Sequence, residues 1–255
     1  MLFKISFCYK ILIRFKCCAF YSVVFTLFFS TVSAQDTLLN KYGLWVINDT
    51  ATFNKTTSKN TTKMMVDIRK AIPAIMLDLR YAGTGNFMHS TLYPPIKTTY
   101  LRRAATDALV KVEEALKKQK LGIKIWDGYR PYAVTEKMWE PIKDDRYAAD
   151  PKFGSGHNRG VAVDVTIINL RTKKELNMGT GFDNFSDTAH IDFKNLPAAV
   201  LANRQLLKSV MEQYGFKALD TEWWHFYLPD TKKYELLNLS FKDLKKINTH
   251  NNLIK

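Results

Sequence analysis

Residues 155–168 read SGHNRGVAVDVTII, and this stretch contains the pattern that decides the fold. The run from Gly160 to Ile168 is rich in β-branched residues, which predicts a buried strand. Because side chains alternate along a strand, the three valines share one face, whereas Asp164 points to the other. An unpaired carboxylate on a buried strand is unfavourable. We therefore expect a cation beside Asp164.

The turn before this strand carries a histidine. Gly156 and Gly160 leave room for a tight turn that holds His157 at the mouth of the strand. A second histidine follows in the segment Glu222-Trp-Trp-His225. Taken singly, a histidine beside glycine is typical of a loop and an acid on an apolar strand is typical of a paired core residue. Together, two imidazoles and one carboxylate with an open fourth position form the donor set of a catalytic zinc site. Glu222 would be the general base next to such a site.

The other periodic segments predict one α+β domain over residues 65–240, without repeats or an internal linker. Apolar residues at helical spacing predict helices over 101–120, over 133–139 and from Pro197 to Gly215. Three further strands are predicted at Ile75–Tyr81, Ile123–Trp126 and Trp223–Leu228.

Composition and the terminal segments restrict the class of protein. Hydrophobic residues make up 46% of the 255, which excludes a disordered chain. The formal charge of +14 is scattered along the chain, so we expect a basic surface and no nucleic-acid partner. Residues 35–64 are polar and predict a flexible leader, and residues 241–255 predict a basic polar tail.

The first 34 residues have the features of a signal peptide. Four cations precede an apolar run, Cys17–Val32, and a small-residue site ends at Ala34. The alternative, an uncleaved anchor, is disfavoured because the run has 16 residues, whereas a span needs about 20. We expect secretion across the inner membrane to the periplasm or beyond, with no stable membrane association after cleavage. All three cysteines lie in this segment, so no disulfide is expected in the mature chain.

The combined motifs resemble the zinc-dependent D-alanyl-D-alanine dipeptidases, relatives of the vancomycin-resistance dipeptidases and of the wider D,D-carboxypeptidase and hedgehog-like zinc fold. The similarity runs from about Val66 to Leu228. It rests on the patterns His157-x6-Asp164, Glu222-x2-His225 and Asp127-Gly-Tyr-Arg130-Pro131, and on the segments Asp78–Ala82, Asn86-Phe87, Met178-Gly179-Thr180 and Phe182-Asp183. The fold it implies is a single α+β domain with a central, mainly antiparallel sheet and flanking helices.

The resemblance also implies roles for individual residues. One zinc ion per chain would be held by His157, Asp164 and His225. Glu222 would act as base and proton shuttle, and Arg130 would stabilise the oxyanion.

Three further residues would bind a free dipeptide. Asp183 and Tyr81 would hold the substrate ammonium, and Ser155 would contact its carboxylate. The chain departs from the family pattern at Met88-His89 and at Ile191, and both departures bear on the shape of the pocket.

Three hypotheses follow. The first is a dipeptidase for D-alanyl-D-alanine in cell-wall turnover, and the second is a D,D-carboxypeptidase for peptidoglycan stem peptides. The third is a non-catalytic zinc-binding module of the same fold. The presence of both Glu222 and Arg130 disfavours the third, because a binding module needs neither. The segments around Tyr81 and Asp183 favour the first, since they imply a substrate with a free amino terminus.

Overall fold

The computed structural model describes residues 39–250. The predicted signal peptide and the last five residues of the predicted tail lie outside this range. Within it, none of the helices is long and apolar enough to cross a membrane.

The secondary structure alternates short strands with helices. The strands are β1 (Val46–Ile47), β2 (Met65–Asp67), β3 (Met76–Leu77), β4 (Tyr100–Arg102), β5 (Leu121–Asp127), β6 (Ala162–Asn169), β7 (Lys217–Leu219), β8 (Glu222–Tyr227) and β9 (Leu236–Leu237). The helices are α1 (Thr50–Ser58), α2 (Ile68–Ala71), α3 (Arg103–Lys117), α4 (Tyr132–Ile142), α5 (Ala198–Gln213) and α6 (Phe241–His250).

Five strands form the central sheet in the order β3-β5-β6-β8-β7. β3 is parallel to β5, and the other neighbouring pairs are antiparallel, as expected. The pairing of β6 with its two neighbours sets Asp164 opposite Asp127 on one side and His225 on the other. The register therefore aligns three polar residues in one row across the sheet.

One face of this sheet carries the main core. Val163 and Val165 of β6 are fully buried with Leu109 of α3 and Leu207 of α5. Each such side chain contributes about 1.5–3 kcal/mol by leaving water. Because side chains alternate along β6, Asp164 is directed to the opposite face, as predicted.

The expectation of a flexible leader over residues 35–64 is wrong for the described part. β1 pairs in parallel with β9, and α1 buries Phe53, which is 1% exposed. Asp49 caps α1 by accepting from the backbone N–H of Thr52 at 2.8 Å. A helix so rich in threonine has low intrinsic propensity, so tertiary packing of a few apolar side chains stabilises it.

The expected polar tail is a helix over its first ten residues. Phe241, Leu244 and Ile247 of α6 are buried at helical spacing in a second apolar cluster. Ser240 caps this helix, since its Oγ accepts from the backbone N–H of Asp243 at 3.1 Å. The sequence predicts a polar tail because lysine and asparagine outnumber the three apolar residues of this short stripe.

The strand predicted at Ile75–Tyr81 is also shorter than expected. Only β3 pairs with the sheet, and a 3₁₀ turn follows at Arg80–Ala82. This turn takes Tyr81 out of the sheet and into the functional site.

Candidate active site

A rigid turn presents His157. Its backbone N–H donates to Ser155 Oγ at 3.0 Å, and the N–H of Ser155 donates to Asn158 Oδ1 at 2.8 Å. Gly160 has a φ of +70°, which glycine adopts without strain. A Cβ on Gly156 would lie 2.8 Å from the Cβ of the first residue of β6. Glycine is therefore required where the turn approaches the strand.

The turn and two strands bring three metal-ligating atoms together. His157 Nε2 lies 3.2 Å from His225 Nδ1 and 3.4 Å from Asp164 Oδ1. His225 Nδ1 lies 3.0 Å from the same carboxylate oxygen. His157 Nδ1 is 2.7 Å from the carbonyl oxygen of Gly128, so this nitrogen donates to the carbonyl and leaves the Nε2 lone pair free.

These three atoms fit a tetrahedral metal ion. Bonds of about 2.0–2.2 Å at tetrahedral angles separate neighbouring ligand atoms by about 3.3 Å. The measured separations of 3.0–3.4 Å agree with this value. Burial by itself raises the pKa of Asp164, but the neighbouring His157 and His225 outweigh it and hold that pKa below its usual range. The site therefore offers an ionised carboxylate and two imidazoles to a divalent transition metal.

Arg130 is fixed beside the ligand atoms. Its Nε and Nη2 donate to Asp127 Oδ2 at 3.0 and 2.9 Å. The other oxygen of Asp127 accepts from the hydroxyl of Tyr93 at 2.8 Å and from the next backbone N–H at 2.9 Å. The guanidinium carbon lies 5.0 Å from the centre of the Tyr81 ring, and Nη2 is 4.0 Å from Asp164 Oδ2. A buried carboxylate with four donors thus orients a cation towards the metal-ligating atoms.

Glu222 approaches the same point from the start of β8. Its Oε2 lies 3.9 Å from His225 Nδ1. Residues three apart on a regular strand, such as Glu222 and His225, face opposite sides. The register of β7 with β8 shifts between Ala218 and Leu219, so β8 is irregular in this segment and the two side chains can reach the same cavity. Burial raises the pKa of Glu222 to about 7. A carboxyl group with such a pKa can accept and return a proton near neutral pH.

Asp183 holds a second, separate carboxylate in a defined orientation. Its Oδ1 accepts from the Tyr81 hydroxyl at 3.1 Å, and its Oδ2 accepts from the backbone N–H of Phe87 at 3.0 Å. The residue has a φ of +58°, an uncommon conformation for a residue other than glycine. Burial raises the pKa of Asp183 to about 7. This carboxylate is a ready partner for a cationic group.

All eight residues singled out from the sequence line one cavity of 280 Å³. They are Tyr81, Arg130, Ser155, His157, Asp164, Asp183, Glu222 and His225. The volume lies just below the range of about 300–1,000 Å³ usual for ligand sites. The cavity therefore suits a small polar molecule that carries charges of both signs.

Comparison with known proteins identifies the family. The family Peptidase_M15, described as D-ala-D-ala dipeptidase, matches residues 61–247. This chain belongs to the D-ala-D-ala dipeptidase family of peptidases.

Two curated relatives in the dipeptidase family are named D-alanyl-D-alanine dipeptidase. The protein of Escherichia coli (strain K12) is 33% identical over 176 residues, which cover 69% of this chain and 90% of that one. The protein of Streptomyces coelicolor is 30% identical over 188 residues, which cover 64% of this chain and 93% of that one. Among solved structures, the LdcB LD-carboxypeptidase overlaps 62% of this chain and 70% of its own, at 20% identity and a TM-score of 0.36.

The residues at the two departures from the dipeptidase pattern do not line the cavity. Neither Met88 nor His89 is among the residues that line the cavity. Ile191 is buried in the main core instead. The pocket shape therefore does not depend on direct contact with these residues.

Two features of this dipeptidase-family site were missed in the sequence. The motif that contains Arg130 also contains Asp127, for which no role is predicted, although its position three residues before Arg130 indicates an ion pair. An aromatic wall was not predicted at all: the ring of Phe185 lies 5.3 Å from that of Phe87 and 4.8 Å from that of Tyr147. These three rings come from separate loops, so no local pattern could reveal them.

Proposed function

We propose that this protein is a zinc-dependent dipeptidase that hydrolyses D-alanyl-D-alanine to two D-alanine molecules. One observation carries the proposal: the cavity with the three ligand atoms also holds Asp183, a carboxylate fixed by two donors and open to a substrate ammonium. The activity named for the two relatives supports the same substrate.

His157, Asp164 and His225 would hold the zinc ion. Two histidines and one carboxylate form a ligand set typical of catalytic zinc sites. When bound, zinc supplies Lewis-acid polarisation of the scissile carbonyl and activation of water.

Glu222 and Arg130 perform the remaining chemistry. Glu222 takes the proton of the attacking water and returns it to the departing amine, and a pKa of about 7 suits both transfers. The guanidinium of Arg130 stabilises the negative charge that develops on the carbonyl oxygen. Because Asp127 holds this guanidinium in place, it needs no reorganisation during the reaction.

The ammonium and the carboxylate of the dipeptide are recognised by different groups, an acceptor for the first and a hydrogen-bond donor for the second. Asp183 accepts the ammonium, assisted by the Tyr81 hydroxyl. Ser155 Oγ already accepts from the N–H of His157, which leaves its O–H free to donate to the substrate carboxylate. In a substrate extended by one residue at its amino terminus, a neutral amide would lie against Asp183. The buried carboxylate of Asp183 would then be unpaired.

Export is a separate part of this proposal. It is supported by the sequence of residues 1–34, whose cations, apolar run and small-residue site are typical of a signal peptide. An exported dipeptidase would act on dipeptide released during cell-wall turnover.

The test uses zinc-loaded protein and three substrates. D-Ala-D-Ala should release free alanine, whereas L-Ala-L-Ala and N-acetyl-D-Ala-D-Ala should be cleaved slowly or not at all. Equal rates on the free and acetylated D,D substrates would support the D,D-carboxypeptidase alternative. Stoichiometric zinc binding without hydrolysis of any of the three would support the binding module.

A further inference from the structure

A second groove lies beside the turn that carries His157, and it shares no lining residue with the catalytic cavity. Its volume is 590 Å³. Three aromatic side chains line it: Trp45, Phe153 and Tyr234. We call it the aromatic groove.

Two of the three aromatic side chains of this groove are unusually accessible. Phe153 is 75% exposed and Trp45 is 38% exposed. Among the described residues, Leu39 is the one further large hydrophobic side chain with comparable exposure. Clustered exposure of large apolar side chains in a soluble domain marks an interaction surface.

The same groove is strongly basic. Its cations are Lys63, Lys152, Arg159, Lys232 and Lys233, and its single carboxylate is Glu235. That carboxylate is already neutralised, because it pairs with Lys63 and with the buried guanidinium of Arg102. Lys233 pairs with Asp230, which lies outside the groove. Lys152 and Lys232 form no ion pair with any residue in the described part of the chain. The groove therefore presents uncompensated positive charge next to exposed rings.

The walls of the groove are held in place by one arginine. Arg159 donates from Nη1 to the carbonyl oxygen of Tyr234 at 2.6 Å and from Nη2 to that of Phe153 at 3.2 Å. Gly154 has a φ of +65°, and a Cβ there would collide with the side chain of Leu236. The two aromatic residues are thus presented by a preformed surface, which lowers the entropy lost on binding.

We propose that the aromatic groove binds a polysaccharide that carries carboxylate groups. The apolar faces of sugar rings pack against the exposed aromatic rings, and the carboxylates pair with the lysines. Lysine offers a point charge, whereas arginine offers a bidentate fork that suits carboxylate and phosphate alike. The one arginine in the groove uses both terminal nitrogens on backbone carbonyls, so the cations that remain for the carboxylates of the polymer are lysines. The bound polymer would retain the enzyme while the catalytic cavity stays open to dipeptide.

The first experiment measures binding by isothermal titration at several salt concentrations. Three probes separate the contributions: polygalacturonate has rings and carboxylates, poly-glutamate has carboxylates without sugar rings, and dextran has rings without charge. We expect polygalacturonate to bind at least about fivefold more tightly than either other polymer, with an affinity that falls as salt rises. Equal affinity for poly-glutamate would overturn the proposal in favour of an acidic peptide.

Matched variants test the position of the site. Phe153→Ala and the double variant Lys152→Ala/Lys232→Ala should each weaken polygalacturonate binding about five- to tenfold. Their controls are Leu39→Ala and Lys118→Ala, which remove an exposed apolar group and an exposed charge outside the groove. All four proteins should hydrolyse free dipeptide at the wild-type rate, which verifies that they fold.

Two results would contradict the assignment. If Phe153→Ala and the double variant bind polygalacturonate with unchanged affinity, the groove is not the binding site. Equal or tighter binding to single-stranded DNA or to phosphatidylglycerol vesicles would replace the carboxylated polysaccharide by a phosphate-bearing partner.

Discussion

The hydroxyl of Tyr81 donates to Oδ1 of Asp183 at 3.1 Å, although 102 residues separate the two in the chain. The ring of the same tyrosine lies 5.0 Å from the guanidinium carbon of Arg130. One side chain therefore links the carboxylate proposed for the substrate ammonium to the cation proposed for the oxyanion. This arrangement sets the spacing between the amino terminus and the scissile carbonyl of the substrate.

Replacing Asp183 should reduce discrimination between free and acetylated dipeptides. Asp183→Asn removes the charge partner of the ammonium, and losing one partner of a desolvated pair costs about 2–5 kcal/mol. We expect kcat/KM for D-Ala-D-Ala to fall at least about 30-fold, with a much smaller change for the acetylated substrate. Asp187→Asn, an exposed acid nearby, is the control and should leave both values unchanged. An unchanged ratio in Asp183→Asn would mean that another group receives the ammonium.

The same residue should make stability depend on pH. Burial raises the pKa of Asp183 from 3.8 to about 7, so ionisation opposes folding above pH 7 and protonation favours folding between pH 7 and 4. Asp183→Asn should therefore be more stable than the wild type at pH 8, by about 1–4 kcal/mol. This advantage should shrink as the pH falls towards 5. Urea unfolding at both pH values measures it, and a difference that is equal at both would contradict the raised pKa.

Metal binding at the proposed site should require all three proposed ligands. His157→Ala, Asp164→Ala and His225→Ala should each lose the bound metal, because three protein ligands are the usual set of a catalytic zinc site. Elemental analysis of protein dialysed against zinc measures the stoichiometry. His190→Ala, a histidine outside the cavity, is the control and should retain one equivalent. Full occupancy in all three ligand variants would place the metal elsewhere.

Glu222→Gln should separate chemistry from metal binding. The amide has nearly the same size but cannot take a proton, so kcat should fall by about 10²–10⁴ while the zinc content stays at one equivalent. Glu212→Gln, at an exposed position on α5, should behave as the wild type. A kcat near that of the wild type in Glu222→Gln would remove this residue from proton transfer.

Two substitutions of Arg130 should have different effects. Arg130→Ala leaves Asp127 buried without its cation and should lower the free energy of unfolding by about 3–5 kcal/mol. Arg130→Lys keeps the charge but loses the two-point contact with Asp127, so the fold should be less affected. In the lysine variant kcat should fall by about 10²–10³, since misplaced charge no longer stabilises the oxyanion. A change confined to KM would assign Arg130 to substrate binding alone.

Much of the candidate active site can be predicted from local patterns in the sequence. The alternation of valines around Asp164 indicates a buried strand with one polar side chain on the far face, and the structure has β6 in that position. The helical spacing of Leu109 and its neighbours predicts α3 within three residues at either end. Both predictions succeed because side-chain periodicity reports directly which face of an element is buried.

Other features depend on the path of the chain in three dimensions. α1 and α6 have polar sequences, and they form because Phe53 and Phe241 reach apolar surfaces built by distant segments. The contact of Tyr81 with Asp183 and the aromatic groove around Phe153 join loops with no shared periodicity. Local sequence encodes the turn, the strand and the ligand types, because these follow from backbone sterics and alternation. The meeting of separate loops is decided by strand register and core packing, which arise only when the whole domain folds.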